Sequence, residues 1–152
     1  MLLNVIIGLV IPWFFGALLY KKATKIILII SPFGGILAHI VNSIQYKFEF
    51  WTIKPESFEH LNYLIYDIGL YGVLSAFLIY LIHRKNVKPI LAILTFTLLT
   101  TLLEYIGVAI ERIVYFNGWN IFFTFWSYLI PYIFVYLYYI LLSRKNLITK
   151  RN

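Results

Sequence analysis

The sequence predicts an all-α fold, a polytopic membrane bundle of five transmembrane helices with the N-terminus outside and the C-terminus cytoplasmic. Three observations carry this. Of the 152 residues, 62% are hydrophobic and only 12% charged, against about 25% charged in a typical soluble domain; mean hydropathy is +0.85. The apolar residues gather into five runs, each near the ~20 residues that a spanning helix needs. Finally, the basic residues collect at alternate ends of those runs, as the positive-inside bias requires.

The runs cover residues 2–20, 26–45, 61–82, 90–115 and 121–142, and together form a single integral membrane domain over 1–152. The first has its lysines after the apolar stretch rather than before it, so it reads as an uncleaved span and not as a signal peptide. Asn4, Gly8, Pro12 and Gly16 drift along one line of it, a packing groove. The second span holds Pro32, Gly34 and Gly35, which predict a kink, and a stripe of His39, Asn42, Ser43 and Tyr46. The third carries His60, Asp67 and Tyr71 on one arc, with Gly69, Gly72 and Ala76 nearly opposite, where another helix can approach closely.

The fourth span is the most patterned. At about 100° per residue, Thr97, Thr100, Thr101, Glu104, Gly107 and Glu111 share one arc, and Leu, Ile, Phe and Val fill the other. The threonines are explained by bonds to their own backbone or to neighbouring helices. Glu104 is not, because a carboxyl costs more than a hydroxyl to bury. Asn117-Gly118-Trp119-Asn120 reads as a tight turn, with Gly118 in a left-handed conformation and Asn120 capping the fifth helix. That last span lines up Tyr128, Tyr132, Tyr136 and Tyr139, which at this spacing read as packing.

Orientation follows from charge. Lys21, Lys22, Lys25, Arg84, Lys85, Lys88, Arg144, Lys145, Lys150 and Arg151 fall on one side of a five-span chain. All six acidic residues, Glu49, Glu56, Glu59, Asp67, Glu104 and Glu111, lie toward the other. The net charge of +7 is therefore a cytoplasmic collar that touches anionic headgroups of the bilayer, not a nucleic-acid surface. Trp51 and Trp119 fall at the outer interface, where amphipathic rings anchor. The location implied is the cell (cytoplasmic) membrane, as a multi-pass protein.

Three helices offer polar groups at one level in the outer half: His39 and Asn42, Asp67, and Glu104 with Glu111. They form the candidate polar site. The chain has no cysteine, which removes disulfides, thiolate metal sites and thiol catalysis. It has no HExxH, no G-x-S-x-G, no Walker loop and no dinucleotide fingerprint, so no metal or cofactor is expected. The best reading is a non-enzymatic component that binds a small molecule, lipid or partner at an outward-facing site. The alternatives are a lipid-directed enzyme using Glu104 with His39 or Asp67, and a structural subunit whose membrane-protein partner, or second copy, docks on the glycine faces.

Glu104-Tyr105, Tyr115 and Gly118-Trp119-Asn120 resemble the signature of a family of small multi-spanning membrane proteins of spore-forming, low-GC Gram-positive bacteria. Asn42, Trp51 and Pro55 are similar to that family's second helix and outer loop. The family is uncharacterised, so the resemblance implies membrane location and architecture but no activity. Asp67 has no counterpart in its pattern.

Overall fold

The computed structural model describes residues 1–148; Lys150 and Arg151 of the expected collar lie outside the described residues. The chain is mostly helical, with four helical stretches long and apolar enough to cross a membrane. They are α1 (Leu2–Phe48), α2 (Glu56–Lys85), α3 (Pro89–Ala109) and α4 (Ile121–Arg144). Two short strands, β1 (Trp51–Ile53) and β2 (Ile113–Tyr115), complete the fold.

Where the sequence predicts two spans, α1 is one helical run of 47 residues. A straight helix of that length would reach about 70 Å. It is not straight. Ala23 leaves helical geometry (φ −153°, ψ 55°), and the residues on either side of it come back together. A β-carbon at Gly16 would stand 3.3 Å from Ile27, residues that a continuous helix would hold about 16 Å apart along its axis. Farther out, Gly8 abuts Gly69, and a β-carbon at Gly35 would lie 3.1 Å from the carbonyl oxygen of Asp67. Residues 27 positions apart thus flank the same turn of α2. Two limbs, 2–22 and 24–48, lie side by side, joined by a reversal so tight that helical hydrogen bonding nearly runs through it.

Both limbs pack on α2. The approach is close because the facing residues are small: no side chain fits between the Gly69 and Gly8 backbones. Each helix widens to a π turn there, at Ile6–Val10 and at Asp67–Tyr71. Such bulges shift a helix face by one residue and often mark functional positions. Pro32 sits in the second limb without ending it.

The main apolar core lies toward the collar end. Leu19, Ile27, Ile30, Leu78, Ile79 and Val135 are almost fully buried in it. Outside it, large apolar side chains are exposed along every helix, for example Phe14, Leu28, Ile68, Leu102, Phe122 and Leu141.

The opposite end is capped by a feature the sequence did not announce. β1 and β2 pair antiparallel with Trp51 opposite Tyr115 and Ile53 opposite Ile113. Lys54 N–H to Arg112 O (2.9 Å) and Phe116 N–H to Phe50 O (2.8 Å) extend the ribbon at both ends. Trp51, Ile53 and Tyr63 form a small core beneath it. The fourth predicted span, 90–115, is consequently shorter than its apolar run: α3 stops at Ala109. Glu111 takes a left-handed conformation (φ 56°). Its N–H bonds to Val108 O at 2.9 Å and that of Arg112 to Gly107 O at 2.8 Å, the paired bonds of a Schellman stop. The β-branched residues after it, Ile113 and Val114, join the ribbon. The expected turn follows. Asn117 and Gly118 have positive φ, and the Asn120 side chain accepts from the N–H groups of Phe122 and Phe123 at the start of α4.

Candidate functional site

Glu104 is 8% exposed and faces inward because Thr97, Thr100 and Glu104 lie three and four residues apart on α3, one face of a helix. Thr100 and Thr101 are satisfied locally, Thr100 donating to Phe96 O at 2.8 Å and Thr101 to Thr97 O at 2.8 Å, whereas the buried Thr97 hydroxyl has no partner among the described residues. Glu104 is served by other elements. Its Oε1 accepts from the hydroxyls of Tyr115 (2.7 Å) and Thr124 (2.9 Å), and its Oε2 from Tyr128.

The directions of these bonds follow by counting protons. Trp119 Nε1, which only donates, reaches Thr124 Oγ1 at 3.0 Å, and this leaves the Thr124 proton for Glu104. Tyr128 gives its proton to Glu104, so Tyr71 donates to Tyr128 across 2.8 Å. Three hydroxyls, from β2 and α4, thus donate to one carboxyl, and Tyr71 of α2 and Trp119 of the turn each donate to one of them. Burial and the neighbouring carboxyl push the Tyr115 hydroxyl up from its ordinary value, so it stays a donor.

A second carboxyl is held separately. Asp67, 1% exposed, lies in the π turn of α2 and accepts from Asn42 Nδ2 at 2.5 Å and His39 Nδ1 at 3.0 Å. A carboxylate accepts, so the imidazole carries a proton on Nδ1. The His39 side chain is 61% exposed. The two networks meet at a small, partly open cavity of about 40 Å³, whose wall includes Asn42, Tyr71, Glu104 and Tyr128 on one side and Trp51, Ile53 and Ile113 of the ribbon on the other. A water needs about 10–15 Å³ of such space, so the cavity has room for a few waters.

Beside it runs a much larger groove of about 460 Å³, between the first limb of α1 and α3, floored by α2. That size falls among ligand pockets, about 300–1,000 Å³. Glu104, Tyr71 and Tyr128 line the groove as well as the small cavity, so the carboxyl network stands between the two spaces.

The structure therefore joins His39, Asn42 and Asp67 by direct bonds and puts Glu104 in the same wall as Asn42. It does not bring Glu111 to them: Glu111 is exposed at the helix stop. Trp51 is 7% exposed, packed at 4.8 Å between ring centres on Trp119, so it holds the ribbon core instead of facing headgroups; Trp119 is partly exposed. His60 is exposed and stacks on Tyr46. Among the described residues no group of three or more His, Asp or Glu gathers as a metal site would require.

Sequence reasoning missed the donors. Tyr128 was assigned to packing and Thr124 to nothing, although their four-residue spacing places both on one face of α4. Asn4, read as part of a packing groove, instead donates to Asn62 Oδ1 at 2.8 Å and to Lys54 O at 2.9 Å. Asn62 in turn donates to Ile53 O at 3.0 Å. The N-terminus is thereby fastened to the ribbon.

No family model matches the chain, and comparisons with curated proteins and with solved structures find no match.

Proposed function

We propose that this chain is a five-span protein of the cell membrane, N-terminus outside and C-terminus cytoplasmic, that binds an amphiphilic small molecule or lipid at an outer-half site around Glu104 and performs no chemistry of its own. The apolar belt and the four long helices support the membrane setting. The reversal at Ala23 supports the fifth crossing, since limbs 2–22 and 24–48 each measure about 31–37 Å against an ~30 Å hydrocarbon core. The basic residues at the reversal, after α2 and after α4 support the orientation and contact with anionic headgroups.

The binding reading rests on one observation: the buried, hydrogen-bonded Glu104 lines both a small cavity of water size and an apolar groove of ligand size. A purely structural network needs no such groove. A lipid-directed enzyme is the second reading, favoured by the His39–Asp67 pair, in which a buried carboxylate orients an exposed imidazole. Against it, that pair and Glu104 belong to different networks.

The test is Glu104→Gln beside Glu104→Leu, with stability in detergent and co-purifying molecules both measured. Gln keeps Oε1 for Tyr115 and Thr124, and its amide donates to Tyr128, whose proton then turns to Tyr71, so two bonds reverse and none is lost. Stability should stay within about 1 kcal/mol of wild type, whereas Leu, which leaves the donors unsatisfied, should cost about 2–4 kcal/mol. Mass spectrometry should find a molecule retained by wild type and lost from the Gln variant. Equal retention in both would defeat the binding reading, and a large stability loss in the Gln variant would favour the structural one.

A further inference from the structure

The groove beside Glu104 has apolar walls for most of its length and one charged end. Ile7 and Ile11 of the first limb and Leu103 and Ile106 of α3 line its sides. At the ribbon end the lining includes Arg112. Among the described residues no carboxylate forms an ion pair with Arg112. Its backbone is fixed on both sides, the carbonyl by Lys54 N–H at 2.9 Å and the N–H by Gly107 O at 2.8 Å, so the guanidinium is rooted at that end. Asn4, the polar residue near it in the lining, has both amide protons committed to Lys54 O and Asn62. The lining thus offers a long apolar trough, the Glu104 carboxyl already taken up by Tyr115, Thr124 and Tyr128, and at the ribbon end one cation with no ion-pair partner among the described residues.

That combination matches a molecule with a hydrocarbon chain and an anionic head. A guanidinium grips a phosphate with two parallel bonds. A zwitterionic head would bring its own cation beside Arg112, while an anionic head brings none. We propose that the groove holds one acyl chain of an anionic phospholipid, with the phosphate on Arg112. This rests on the reading of the Glu104 site as amphiphile-binding and names the class of ligand. It also separates Arg112 from an arginine that merely reaches for surrounding headgroups, because groove and cation must act together.

The experiment uses the full chain, stripped of lipid in detergent and titrated with phosphatidylglycerol, phosphatidylcholine or inorganic phosphate. Binding is read by thermal unfolding and by native mass spectrometry. Wild type should retain one phosphatidylglycerol at least about tenfold more tightly than phosphatidylcholine, the value of one charge-assisted contact, and should not respond to inorganic phosphate. Arg112→Gln should lose that preference and Arg112→Lys should keep part of it. Leu103→Trp, which fills the trough and leaves Arg112 in place, should lose it too. The collar variant Lys21→Gln/Lys22→Gln/Lys25→Gln should retain it.

Unchanged preference in Arg112→Gln or in Leu103→Trp would overturn the proposal, as would its loss in the collar variant alone. An equal response to inorganic phosphate would overturn the acyl-chain half. If Glu104→Gln loses its co-purifying molecule while Arg112→Gln changes nothing, the amphiphile site stands and this lipid class fails. If Glu104→Gln loses nothing, the underlying reading fails instead.

Discussion

A buried carboxyl in an apolar bundle survives only where donors meet it. Glu104 and Asp67 solve this differently. Glu104 takes hydroxyls from β2 and α4, themselves backed by donors from α2 and the turn, so its partners are fixed when the whole fold forms. Asp67 relies on two side chains of a single limb, Asn42 and His39, three residues apart. The second arrangement controls a tautomer. With Asp67 as acceptor, His39 is protonated on Nδ1. In Asp67→Asn, with Asn42 still donating, the new side chain offers its oxygen to Asn42 and turns its amide toward His39. Nδ1 then has to accept, and the proton moves to Nε2. Imidazole nitrogen chemical shifts of the neutral ring should therefore exchange between wild type and Asp67→Asn. The same tautomer in both proteins would show that Asp67 does not set it.

At the scale of elements, the close fits concern backbone. The two π turns face each other where Gly8 meets Gly69, and α2 touches both limbs of α1 through residues without bulk. Gly69→Ala puts a methyl against the Gly8 carbonyl, and neither backbone has a flexible end to swing away. A loss of about 1–3 kcal/mol is expected from overpacking, measured as a lower unfolding temperature in detergent. Gly118, which has nothing within 4 Å of its β-position, serves as the contrast: Gly118→Ala should cost about 1 kcal/mol from its left-handed backbone alone. Equal losses at the two sites would argue against the close approach. The glycine stripe of the third span was legible because small residues at helical spacing have one common use. The π turns were not, since no residue type specifies the extra residue that packing inserts.

For the whole molecule, the decisive matter is how α1 relates to the bilayer. Folded back at Ala23, it places Thr24 on the same side as Lys85 and opposite Ser57. All three are exposed, and the chain has no cysteine to interfere. Single cysteines there should label with a membrane-impermeant reagent from the cytoplasmic side at Thr24 and Lys85 and from the outside at Ser57. If Thr24 is inaccessible from both sides, a single crossing of the entire first helix would replace the five-span reading.

Composition and the placement of charge were sufficient for an apolar helical protein with one basic end, because the cost of burying charge in hydrocarbon acts on every residue independently of its neighbours. The same logic marked Glu104 and Asp67, and local turn chemistry marked Asn120 and Gly118. What the sequence could not supply was pairing. Trp51 with Tyr115, Asn4 with Asn62, Tyr71 with Tyr128 and Gly8 with Gly69 join residues dozens of positions apart, and nothing in either partner's local sequence names the other. The tertiary structure decided those contacts. With them it shortened the fourth span, moved Glu111 out of the site, gave Glu104 its donors, and left open the groove that the function is proposed to use.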